Sequence, residues 1–65
     1  MFKFKVGVFY FTTSSEDAPT GELIYTIKAE CEADAIKRGI RRLYRTPPAD
    51  FYSLDLIAIQ EKTDV

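Results

Sequence analysis

The sequence has no histidine, no tryptophan, one cysteine and one methionine in 65 residues. Each absence removes a class of chemistry. Without histidine there is no imidazole to serve as general base or metal ligand. A single thiolate, Cys31, cannot build a zinc site on its own. It also cannot form an internal disulfide, and this spare use of cysteine fits a reducing compartment. No apolar run approaches the roughly 18 residues that cross a bilayer as a helix. The first eleven residues, MFKFKVGVFYF, are apolar but alternate with lysine and lack a small-residue cleavage site, so a signal peptide is not expected. No surplus of charge of either sign is present, with nine Lys and Arg against ten Asp and Glu, a net charge of −1. A general nucleic-acid binder is more often basic overall, so any such role here must use a local patch. These features together lead us to expect a cytoplasmic protein without cofactor or metal.

What is present is apolar supply. Hydrophobic residues make up 46% of the chain and aromatics 14%, five Phe and four Tyr. That content argues against disorder. The length allows one domain, residues 1–65, which buries only about 60% of its unfolded surface and is marginally stable alone. Without disulfide or metal, the remaining supports are efficient packing and self-association.

The periodicity predicts the order ββαβ. Residues 2–11 alternate, with Phe2, Phe4, Val6, Val8 and Tyr10 on one face and Lys3, Lys5, Gly7, Phe9 and Phe11 on the other. That is a strand pattern. The polar stretch 12–21, TTSSEDAPTG, contains Pro19 and Gly21 and is expected to be a mobile loop. Residues 22–29 alternate again as a second strand. A helix is predicted over about 32–44, with Cys31 at its N-cap. Its apolar stripe is Ala33, Ile36, Ile40 and Leu43, flanked by Gly39 and Tyr44. Gly39 costs roughly 1 kcal/mol against Ala within a helix, so close approach to the sheet is its expected reason. Thr46-Pro47-Pro48 stops the helix. Residues 51–61 read as a third strand, with Tyr52, Leu54, Leu56 and Ala58 on one face and Phe51, Ser53, Asp55, Ile57 and Ile59 on the other. The tail from Lys62 onward is polar and expected to fray.

A right-handed crossover through the helix makes strands two and three parallel. The simplest result is an α+β domain, a three-stranded sheet of order 2-1-3 with one helix on one face. The opposite face is then left with Phe9, Phe11, Ile24, Ile57 and Ile59 among charged residues. An apolar set left open in so short a chain points to a homo-oligomer interface, ahead of base stacking by Phe9 and Phe11.

The second candidate surface is the helix itself, whose charges are sorted by sign. Glu30, Glu32 and Asp34 lead; Lys37, Arg38, Arg41, Arg42 and Arg45 follow on the side away from Ile36 and Ile40. Such a stripe can meet phosphates or an acidic protein surface. The commoner reading is a solvated face whose charges complement the helix dipole. Arginine outnumbers lysine four to one here, and its guanidinium pairs bidentately with carboxylate or phosphate, which favours recognition.

The remaining candidates are weaker. Cys31 sits among carboxylates and has no base, so a small residue at a strand-to-helix junction is its ordinary reading. Glu30, Glu32 and Asp34 belong to a helix start and need no metal. No calcium-loop spacing, Gly-rich phosphate loop or nucleophile–base pairing is present. The last three residues, Thr63-Asp64-Val65, match a short pattern read by strand-addition domains that capture a C-terminal carboxylate, but three residues match easily by chance. The sequence therefore points to a non-enzymatic protein-binding module, self-associating, with an unidentified protein partner. Its size and composition are those of many small bacterial or phage accessory and inhibitor proteins. The alternative is a nucleic-acid-binding protein or regulator that uses the helix face from Lys37 to Arg45.

Overall fold

The computed structural model describes residues 1–12 and 21–64. Most of the predicted loop, residues 13–20, and the last residue of the C-terminal motif, Val65, lie outside the described residues.

Four elements follow one another: β1 (Phe2–Phe11), β2 (Gly21–Ala29), α1 (Glu32–Arg45) and β3 (Ser53–Asp64). The sheet order is β2-β1-β3, and β1 runs antiparallel to both neighbours. The two outer strands are therefore parallel to each other, as a helical connection between them requires. This is the α+β arrangement expected from the alternation.

α1 lies across all three strands on one face of the sheet. Its N-cap is Cys31, whose backbone is extended and whose carbonyl accepts the Ala35 N–H at 3.0 Å. The Cys31 side chain makes no capping bond. At the other end the Thr46 N–H donates to the Arg42 carbonyl at 3.2 Å, and the two prolines follow.

The core lies between α1 and the sheet. Phe4, Val6, Val8 and Tyr10 of β1, Ile27 and Ala29 of β2, and Ala35 and Leu43 of α1 are buried. The buried helix positions are Ala35, Gly39 and Leu43, spaced four apart. Ile36 and Ile40 are only half-buried, and Ala33 and Tyr44 are exposed. The expected stripe is thus rotated toward its small residues. The reason is contact distance: Ala35 and Gly39, with little or no side chain, let the helix approach the sheet, and Leu43 is the one large helix residue fully buried there. A Cβ built on Gly39 would stand 2.9 Å from Ile57 Cδ1 and 3.1 Å from Val6 Cγ1. The expectation that Gly39 marks close approach is met.

β3 departs from the alternation predicted for it. It begins at Ser53 and continues to Asp64, so residues 62–64 are paired rather than frayed, with Asp64 opposite Phe2. Its register against β1 shifts twice, between Lys5 and Val6 and between Phe9 and Tyr10. Asp55 and Gln60 are skipped by these shifts. Each inserted residue reverses the phase of the side chains beyond it. Ile57 pairs with Val8 and Ile59 with Val6, and both pack against the buried cluster beneath α1. Ile57 and Ile59 therefore do not lie on the open face, where the sequence placed them. Leu56, opposite Phe9, and Ala58, opposite Gly7, take that place.

Candidate binding cleft

Four of the five cations on α1 come together. Arg38, Arg41, Arg42 and Arg45 line an open cleft of about 320 Å³ with Thr26, Ile27 and Lys28 of β2. The fifth, Lys37, is exposed but does not line it. The arrangement follows from helix geometry. Residues at 38, 41–42 and 45 recur at three- and four-residue intervals and share a side of the helix. Ala35, Gly39 and Leu43 hold the adjacent side on the sheet. The arginines are consequently turned toward the β2 edge rather than directly away from the sheet.

Two contacts orient them. The Arg38 Nε donates to Asp34 Oδ2 at 2.8 Å, one helical turn back. The Arg42 guanidinium lies 4.9 Å from the centre of the Tyr25 ring. Tyr25 stands on β2 opposite Val6, so its ring is on the helix side of the sheet. It provides an aromatic floor under a guanidinium, a favourable cation–π placement. The cleft thus holds four guanidinium groups and the Lys28 ammonium. Asp34 is the one carboxylate found paired with any of them among the described residues.

The helix start is chemically plain. Cys31 is exposed and unpaired as a thiol. Among the described residues, no three of His, Cys, Asp and Glu are grouped so as to hold a metal ion, and no helix is long and apolar enough to cross a membrane.

The second surface is the sheet face away from α1. Cross-strand pairing puts Phe9, Leu56 and Glu22 in one row and Gly7, Ala58 and Ile24 in the next. Phe11 lies beyond, opposite Ser53. Ile24 and Leu56 are more than half exposed, at 57% and 55%. The other end of this face is charged: Lys3 beside Lys28 and Thr63, then Lys5 beside Thr26 and Glu61. Lys5 and Glu61 form an ion pair at 3.7 Å. Of the predicted interface residues, Phe9, Phe11 and Ile24 share this face, and Ile57 and Ile59 do not.

One polar contact at the edge of the core has no signature in the sequence. The Tyr10 hydroxyl donates to Asp50 Oδ1 at 3.2 Å, tying β1 to the turn after α1. Desolvation, and then the Asp50 carboxylate, raise the Tyr10 phenol above its ordinary range. The Phe51 ring lies between Tyr10 and Tyr44, at 5.7 and 5.8 Å between centroids.

No protein-family model matches the chain, and no curated protein or solved structure matches it.

Proposed function

We propose that this protein is a small non-enzymatic binding module that docks an acidic segment of a protein partner in the cleft between α1 and β2. The observation that supports this reading is the gathering of Arg38, Arg41, Arg42 and Arg45 beside the β2 edge with a single paired carboxylate among them. Guanidinium groups held together in this way repel one another until a partner neutralises them, and their planar forks match carboxylates.

Nucleic acid is the other polyanion such a cleft would suit. Single-strand binders place stacking aromatics beside their phosphate contacts. Here Phe9 and Phe11 lie on the sheet face away from α1, and Tyr25, the aromatic beside the arginines, already has the Arg42 guanidinium over its ring. That arrangement favours a protein partner.

A titration decides between them. Polyglutamate and a single-stranded oligonucleotide of similar length are each added to the protein at two salt concentrations. Binding of polyglutamate, lost in the double variant Arg38→Glu/Arg42→Glu with the circular dichroism unchanged, supports the protein-partner reading. Tighter binding of the oligonucleotide, with a salt slope set by the number of phosphates neutralised, replaces it with nucleic-acid recognition.

A further inference from the structure

We propose that the acidic partner enters the cleft as an extended strand, added to the edge of β2 and clasped by the α1 arginines. The inference rests on the acidic-partner reading and assigns that partner a conformation.

The two edges of the sheet are built differently. Natural sheets protect an edge strand with bulges, prolines and charge, because its outward N–H and C=O groups are a template for another strand. β3 has its protection in two register shifts, at Asp55 and Gln60. β2 has neither a bulge nor a proline. It pairs with β1 through nine consecutive residues, from Gly21 opposite Tyr10 to Ala29 opposite Phe2. Among the described residues, β1 is its only strand neighbour. Alternate residues along β2 direct both backbone polar groups outward. Glu22 and Lys28 are its only charged side chains.

The cleft reaches this edge. Thr26, Ile27 and Lys28 are consecutive, and side chains of consecutive strand residues point to opposite faces. All three line one cleft, and a strand offers three successive residues to one opening along its edge.

The spacing also fits. Arg38 and Arg42 are one turn apart, about 6 Å along the helix axis. Alternate residues of an extended chain are about 6.7 Å apart. Two carboxylates at positions i and i+2 of an added strand are therefore spaced much as successive arginine turns are, while the chain's outward backbone bonds fall on β2. A second copy of this chain is the poorer occupant. Pairing β2 with its own counterpart would bring two arginine clusters to one seam, and the repulsion between them opposes the union.

The test uses an acetylated octapeptide alternating glutamate with threonine, a lysine-for-glutamate analogue, and two N-methylated forms of the glutamate peptide. One form is methylated at every glutamate and the other at every threonine. Strand addition uses only alternate amides of the incoming chain, so one methylated form should lose binding at least tenfold while the other retains it. The β2 amides that face outward should gain hydrogen-exchange protection, the lysine analogue should not bind, and Arg38→Glu/Arg42→Glu should not bind the glutamate peptide. Binding that tolerates methylation at both sets of positions, with β2 exchange unchanged, overturns strand addition and leaves the acidic-partner reading standing. Binding of polyglutamate but not of the alternating peptide has the same meaning. Failure of both acidic chains overturns both readings.

Discussion

Gly39 stands close over Val6 where α1 meets the sheet: a methyl group on its Cα would lie 3.1 Å from Val6 Cγ1 and 2.9 Å from Ile57 Cδ1. Gly39→Ala sets a helix-propensity gain of roughly 1 kcal/mol against overpacking of typically 1–3 kcal/mol. Ile57 Cδ1 is a side-chain terminus and can yield; Val6 is fully buried and cannot move far. We expect a net loss of about 1 kcal/mol. Ile57→Val removes the nearest atom, so Gly39→Ala should cost less in that background. Thermal or urea denaturation of the four proteins gives the coupling directly. Simple additivity would mean that Gly39 does not meet Ile57 as described.

Leu43 is fully buried, whereas Ile36 is half-buried and Ala33 exposed. Leu43→Ala should cost about 2–5 kcal/mol, enough to unfold much of so small a domain. Ile36→Ala should cost about half as much, since less of its surface leaves water. Ala33→Ser should change stability by less than about 0.5 kcal/mol. Urea unfolding of the three variants ranks them, and an Ala33 effect as large as that of Leu43 would place the helix in the wrong phase.

These variants probe what the sequence made legible. β1 and β2 alternate without interruption and pair residue for residue, so period two alone fixed their faces. β3 alternates only between its two register shifts. Carrying one phase past Asp55 puts Ile57 and Ile59 outside, because the unbroken apolar run from Leu56 to Ile59 offers hydrophobic residues to both faces and does not itself fix the phase. The helix reading erred by weighting large residues. Ala35 and Gly39 are poor hydrophobes by size, yet smallness is what lets the helix approach. The arginines were legible as a polar face, but their turn toward β2 depends on how the helix crosses the sheet. No local pattern encodes that crossing.

Tyr10 gives the fold a dependence on alkaline pH. Its phenol is raised above the ordinary value by desolvation and by the Asp50 carboxylate. A raised folded pKa contributes stability that is complete below the unfolded value, about 10. That contribution is lost as pH rises through the folded value. Tyr10→Phe removes the titrating group and its bond to Asp50, so it should be less stable than wild type at neutral pH. The gap should narrow above about pH 10, where wild type loses what the variant never had. Denaturation midpoints from pH 7 to 11 read this out. A gap constant across that range would show that Tyr10 titrates as an exposed phenol does.

The open sheet face offers the last test. Phe9, Leu56, Ile24, Ala58 and Phe11 form its apolar end, and Lys3, Lys5, Lys28 and Glu61 its charged end. An apolar end of this kind on so small a chain is suited to burial against a second copy. Self-association through it leaves the cleft accessible, because α1 and the arginines lie on the other side of the sheet. We expect a dimer at micromolar concentration in sedimentation. Leu56→Asp with Ile24→Asp should give a folded monomer, since both side chains are more than half exposed within one protomer. Ile57→Asp should unfold the domain instead, because Ile57 packs under α1. The contrast between positions 56 and 57 separates an interface from a core. A wild-type monomer at every concentration would leave the face without a second copy. Unfolding by the 24/56 pair would mean that the face is needed within the protomer itself.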